Sequence, residues 1–346
     1  MTKLKSILFN KLFLLAVLTV FVAVFTFTSS YFVFVGINAL INAIAVIGIV
    51  VITGYARQLH LGQAAFLGLG AYTSALLMTK LGWNFWLTMP VAILMAGLFG
   101  LLLGLPALKL RGGPYLALVT QLFGEIVYLF LLNLTPITNG PFGILGIPSP
   151  SIGPLNFSDL KLYFILCIVF LAIAYFVANR ICGSKYGRFF ISIKESEEAA
   201  QAVGVNTMRY KLLAFTVAAM FGGLAGVLYG PFIGYLSPEQ FRWQPSLTLV
   251  SMAIVGGMSD LRGGIIGAVV LTFLPELLRS TDQARMILYG ALLILTLAFM
   301  PDGLISLVGK SWTQIKTMFR SRWNDMWAGG DSEKTVRKLK RLSKQN

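Results

Sequence analysis

From Tyr31 to Thr53 the chain reads YFVFVGINALINAIAVIGIVVIT, 23 residues without a charge. A helix rising about 1.5 Å per residue over that length spans a hydrocarbon core about 30 Å thick. In lipid every backbone N–H and C=O has to be satisfied within the protein, so only helices or a closed barrel can cross. Neither this run nor the apolar runs after it show the alternation of barrel strands. The predicted fold is therefore an all-α polytopic membrane protein. Composition agrees, because 57% of the 346 residues are hydrophobic, 12% are charged and the mean hydropathy is +0.79. That leaves too little polar surface to cover a water-soluble domain of this size.

Ten apolar segments are legible, at about 12–28, 31–53, 64–79, 86–107, 114–134, 161–178, 212–230, 246–259, 264–281 and 286–301. The third and eighth are short for a full crossing, which suits a re-entrant or tilted segment. With both termini placed in the cytoplasm, 23 Lys and Arg fall on the cytoplasmic side and 5 (Lys80, Lys161, Arg242, Arg279, Arg285) on the other. Such a bias is what orients membrane proteins, although charges in a long tail weigh less than those in short loops. Lys3, Lys5 and Lys11 ahead of an apolar run also suit a secretory signal, but FTFTSSYF offers no clear small-x-small cleavage site, which favours a retained span. The chain divides into a membrane domain, 1–305, with a cytoplasmic loop at about 180–211, and a basic tail, 306–346.

The net charge of +15 is concentrated on that side and in the tail, so it points to anionic lipid rather than nucleic acid. In the tail, Trp312, Ile315, Phe319, Trp323, Met326 and Trp327 recur every three or four residues between cations, the pattern of an interfacial helix. Cys167 and Cys182 suit small apolar roles better than a disulfide.

Polar interruptions mark candidate sites. GYARQLHLGQAAFLGLGAY, Gly54–Tyr72, places Gln58, His60 and Gln63 between glycines. It admits two readings, a broken helix lining a translocation path or an ordinary cytoplasmic turn. His60 is the chain's single histidine, which excludes a multi-histidine metal site. Glu125 lies about 16 Å along a helix starting at Pro114, near the bilayer midplane, where an ionisable group lines a path or pairs internally. On its own helix only Tyr128 is placed to satisfy it. Glu276 is similarly deep, and Arg279 stands three residues on. The repeated LRGG (110–113 and 261–264) opens two helices of like direction and does not read as an inverted repeat. GKS at 309–311 is misspaced for a phosphate-binding loop and follows a membrane segment rather than a strand. No nucleophile elbow or metal signature is found, so no catalytic residue and no cofactor is assigned. The Gly- and Pro-rich stretch 136–161 suits either a docking surface or a plain connection.

Between Arg180 and Lys211 lies KESEEAAQAVGVN. Ser192 with Glu195 forms an S-x-x-E capping box, the acids at 195, 197 and 198 suit a helix N-terminus, and Gly204 offers a stop, which predicts a helix over about 193–203. Its alanines at 199, 200 and 202 allow another protein to approach closely. EAAQAVG (198–204) looks like the EAA-x3-G loop of ABC-importer permeases. Together with GYARQLHLGQAAFLGLGAYTSALL, YLALVTQLFGEIVYLFLLN, ESEEAAQAVGVNTMRYKLLAF and PELLR, in order from about residue 36 to 305, it resembles the LivM-type permeases for branched-chain amino acids.

The resemblance implies a roughly ten-helix subunit of a prokaryotic inner membrane, paired with a second, LivH-like permease, two cytoplasmic ATP-binding subunits and an extracytoplasmic substrate-binding protein. It also implies that Glu195, Glu198, Ala199, Ala200 and Gly204 couple to an ATPase, while Gln58, His60, Gln63 and Glu125 are candidates for the path. Arg57 and His60 depart from the small residues usual there, and GGMSDLRGG (256–264) replaces a more common Gly-Ser-Leu-Trp-Gly pattern. Relatives that carry urea, short amides or other small acids are thus the alternative, and a self-sufficient carrier coupling protons through Glu125 and Glu276 is a further rival.

Overall fold

The computed structural model describes residues 30–108, 113–153, 155–277, 290, 294 and 303–307. Its α-helices of six residues or more are α1 (Ser30–Ile49, prolonged by a π-helical stretch, Val50–Tyr55), α2 (Gln63–Leu81), α3 (Phe85–Ala107), α4 (Gly113–Asn133) and α5 (Leu160–Gly183). They continue as α6 (Lys185–Glu195), α7 (Glu197–Ala202), α8 (Thr207–Ile233), α9 (Trp243–Gly256) and α10 (Leu261–Leu277). Among the described residues six helices are long and apolar enough to cross a membrane, with a seventh crossing if α9 and α10 together count as one.

The described residues thus show fewer than the expected ten crossings. The eighth and ninth expected segments are the two limbs of a pair bent by 119°. The first expected segment, almost all of the tenth, and the tail helix lie outside the described residues. The bend has a local cause, for Gly257 takes a φ of 113° that disfavours other residues. Asp260 then restarts the helix by accepting from the Arg262 N–H at 2.9 Å. At 14 residues, or about 21 Å, α9 is too short to cross alone.

Helix association in lipid depends on close packing, because lipid tails are as apolar as leucine. The centre is α1, buried along nearly its whole length. Against it α8 and α2 meet backbone to backbone: a Cβ on Gly70 would lie 2.2 Å from the Gly223 carbonyl oxygen, and one on Gly226 would lie 1.9 Å from that of Leu67. Gln63 Nε2 donates to the carbonyls of Ala45 on α1 and Ala218 on α8, both at 3.1 Å, joining the three helices. Cys167 and Cys182 are free and buried, with small apolar roles.

One end of the bundle is closed by Ile144–Leu145, paired antiparallel with Tyr235–Leu236. Lys80 donates to the Pro136 carbonyl at the same end. From there the chain dips back through a 3-10 turn, Pro238–Phe241. Phe241 packs on Gly68 and on the rings of Tyr72 and Tyr229, and the Ser246 hydroxyl accepts from the Ala64 N–H at 2.9 Å. The N-terminus of α9 therefore starts inside the bundle, alongside α2, rather than at its rim.

Candidate functional site

At the end opposite that cap, α6 and α7 form a hairpin. The helix predicted over 193–203 is two helices, with the break at Ser196. Ser192 lies inside α6 and bonds back to the Phe189 carbonyl, so it caps nothing. Ser196 is the cap, its side chain accepting from the Ala199 N–H at 3.2 Å. The serine four residues on wins because its backbone is extended (φ −156°, ψ 115°), as an N-cap requires. Glu197 and Glu198 then occupy the first turn, with Glu197 paired to Lys211 at the base of α8. Gly204 has a φ of +86° and ends the hairpin helix.

The alanines divide between two faces. Ala200 is 3% exposed and faces its own chain, whereas Ala199, Ala202 and Val203, which is 78% exposed, face outward. Glu195 and Glu198 are exposed. With Glu197 and Lys211 they line a 760 Å³ cleft that runs under the hairpin to Arg57 and Gln58.

Arg57 joins the hairpin to the inner break of the bundle, donating to the Lys194 carbonyl at 3.3 Å from a left-handed backbone, φ 53°. Arg57→Gly is expected to leave stability within about 1 kcal/mol of wild type. Relief of the left-handed strain, about 1 kcal/mol, offsets a hydrogen bond worth about 0.5–1.5 kcal/mol. Denaturation of the purified protein in detergent checks this, and a loss above about 2 kcal/mol contradicts it.

Behind Arg57, His60 and Gln63 are enclosed, and Gln58 stands at the inner end of the cleft. His60 and Gln63 are 0% exposed and Gln58 is 4% exposed. Neither ring nitrogen of His60 has a hydrogen-bond partner of normal geometry, nor do the side-chain oxygens of Gln58 and Gln63. The His60 ring lies 5.5 Å from Phe66 and 5.0 Å from Phe215, between their ring centroids. Burial holds it neutral and pushes its pKa from 6.5 down to about 3, with nearby Gln63 acting weakly in the opposite sense. Below pH 6.5 the unfolded chain takes up a proton that the folded chain refuses, so His60 makes stability fall with pH down to about 3. The slope is about 1.4 kcal/mol per pH unit. His60→Phe, which suits the aromatic surroundings, is expected to flatten the acid limb of stability measured against pH; an unchanged limb contradicts this.

Glu125 has the partner that sequence reading missed. Its Oε1 accepts from Arg242 Nε at 3.2 Å, across 117 positions of sequence. Tyr128, expected beside Glu125, instead donates to Glu239 at 2.6 Å, and the Arg242 guanidinium lies 5.2 Å from the Tyr128 ring centroid. Arg242 stood among the external charges in the sequence, and only the dip before α9 brings it to Glu125. Glu276, expected at similar depth, accepts instead from exposed Tyr31 in the first turn of α1; its expected partner Arg279 lies outside the described residues.

The cluster is not sealed, for 38% of the Arg242 side chain and 33% of that of Glu125 are exposed. Polar residues continue from it in two stripes at helical spacing, Gln121, Glu125 and Tyr128 on α4 and Gln244, Thr248 and Ser251 on α9. Gln244 and Thr248 are exposed, as is the Ser251 hydroxyl. The i, i+4, i+7 spacing of 244, 248 and 251 was the available sequence signal. No group of three potential metal ligands occurs among the described residues.

Residues 31–297 match the family model described as "Branched-chain amino acid transport system / permease component". The chain is 36% identical over 319 residues to the high-affinity branched-chain amino acid transport system permease protein LivM of Escherichia coli K12, covering 86% of this chain and 75% of that one. It is 24% identical to a probable branched-chain amino acid transport permease protein LivM of Methanocaldococcus jannaschii, over 62% of this chain and 67% of that one. A shorter stretch of 125 residues is 31% identical to the permease protein LivH of Escherichia coli K12, over 35% of this chain and 40% of that one. No solved structure matches. With more than half of its length matched by the family model, the chain belongs to the family of branched-chain amino acid transport system permease components.

Proposed function

We propose that this multi-pass membrane protein is the LivM-like permease subunit of an ATP-driven importer of branched-chain amino acids. It works beside a related, LivH-like permease, two cytoplasmic ATPases and an extracytoplasmic substrate-binding protein. The observation that carries the reading is the pair of polar stripes on α4 and α9. A charge on an exposed helix face at bilayer depth is disfavoured by about 2.5–3.5 kcal/mol, so the stripes suit a water-filled path closed by the second permease. Glu125 belongs to that path, while Gln58, His60 and Gln63 form its inner seal in the state described.

The hairpin docks on an ATPase through Ala199, Ala202 and Val203, with Glu195 and Glu198 beside them and Gly204 setting the turn. Ala200 supports the hairpin from inside. The hairpin end, with both termini, is cytoplasmic; residues 1–305 form the membrane domain, and the tail 306–346 lies on anionic lipid. ATP hydrolysis resides on the partner subunits.

Coexpression with the neighbouring permease and ATPases, purification through this chain, and reconstitution with the binding protein test the reading. ATP-dependent leucine uptake into proteoliposomes is expected. Uptake of urea or short amides in place of leucine, or uptake driven by a proton gradient through this chain alone, would overturn it.

A further inference from the structure

We propose that Arg242, held between Glu125 and Glu239 where α9 begins, is a transit site for the charged ends of a zwitterionic amino acid. Its guanidinium takes the α-carboxylate while the released Glu125 takes the α-ammonium. This rests on the reading of the chain as an amino acid permease and deepens it.

The geometry leaves Arg242 underused. A guanidinium offers five N–H donors in a planar fork suited to a carboxylate. Among the described residues its Nε donates to Glu125 at 3.2 Å, while its Nη1 approaches Glu239 only to 4.0 Å. Glu239 takes its short hydrogen bond from Tyr128 instead. The fork is thus aligned by one contact and by the Tyr128 ring, with its outer edge open.

Charge selects the ligand class. One arginine and two glutamates give the cluster a net charge of −1 when all are ionised. An anion meets repulsion there, and a cation has no use for the guanidinium. A zwitterion adds no net charge and can exchange end for end, its carboxylate replacing Glu125 on Arg242 and its ammonium meeting the freed Glu125. Urea and short amides lack both ends.

Apolar surface lies in the right place for the rest of the molecule. Leu122 and Leu129 flank Glu125 one turn to either side on α4, and Leu247 is one turn into α9; all three are exposed. A site with a charged grip beside leucine surface fits an amino acid with an apolar side chain. Because Arg242 is the N-cap of α9 and makes no side-chain cap there, the helix dipole favours the same carboxylate.

The test uses the complete transporter in proteoliposomes with leucine-saturated binding protein, so that delivery is constant. The double variant Glu125→Gln/Arg242→Gln removes the ion pair while keeping two hydrogen-bonding side chains. If the pair only braces α4 against α9, removing both partners together is mild, and leucine moved per ATP hydrolysed stays within about twofold of wild type; that result overturns the proposal. If Arg242 receives the carboxylate, the ratio falls about tenfold or more, the scale of a lost charge-assisted contact. Should the double variant fail to assemble, Arg242→Lys decides, since it keeps the charge but loses the fork. A fall of about threefold or more in the same ratio is expected, and an unchanged ratio overturns the proposal. Absence of leucine uptake by the wild-type assembly would overturn the functional reading and this site with it, which separates that failure from the other two.

Discussion

Replacing Gly226 with leucine is expected to stop the chain from accumulating as a folded protein. A Cβ at Gly226 would stand 1.9 Å from the Leu67 carbonyl oxygen and 2.7 Å from the Ala71 nitrogen, both backbone atoms of α2 that no rotamer change can move aside. Overpacked cores lose about 1–3 kcal/mol when side chains can shift, and here the helices themselves must separate, so about 3 kcal/mol is a floor. Gly183, with nothing within 4 Å of an added Cβ, is the control. Gly183→Ala should stay within about 0.5 kcal/mol. Yield and elution profile in detergent compare the two, and a monodisperse Gly226→Leu protein at wild-type yield would show that the α2–α8 contact is looser than described.

The second large effect concerns the hairpin. Ala199→Trp and Val203→Glu change its outward face and are each expected to reduce ATPase copurification about tenfold or more while leaving the chain folded, as loss of an interface centre does. Ala200→Trp should act differently. At 3% exposure Ala200 has no outward surface to enlarge, so its tryptophan should lower folded yield before docking can be measured. Gly204→Val meets open space but a left-handed backbone, a strain of about 1–2 kcal/mol felt locally. Normal ATPase recovery with both Ala199→Trp and Val203→Glu would remove the hairpin from the docking surface.

Helix class and membrane character were legible because hydropathy and run length state them directly. So were the hairpin's place between Arg180 and Lys211 and its stop at Gly204. Its start was not, since Ser192 has an acid, Glu195, at capping-box distance while Ser196 has Ala199 there, and only the extended backbone at Ser196 makes it the cap. The bent pair was legible only in part: the eighth segment was short enough to suit a re-entrant piece, but nothing in the residues around Gly257 states the angle. Glu125 was found as an anomaly of depth, but its partner was not. Periodicity reports what lies on one helix, whereas Arg242 reaches Glu125 through a re-entry that brings together residues 117 positions apart. His60, Gln58 and Gln63 drew notice as polar residues among glycines, and the sequence could not say whether polar atoms there faced water or were shut in.

The clasp made by Gln63 also constrains how access can alternate. Its Nε2 is shared between carbonyls of α1 and α8, and at Gly70 and Gly226 α2 touches α8 with no side-chain layer between the backbones. Shear between packed helices needs such a layer to slide across, with side chains that can exchange rotamers as the helices move. If the hairpin couples to an ATPase as proposed, these three helices act as a stator and the strokes fall to the elements at its margin, α4 and the short limb α9, which carry the two polar stripes.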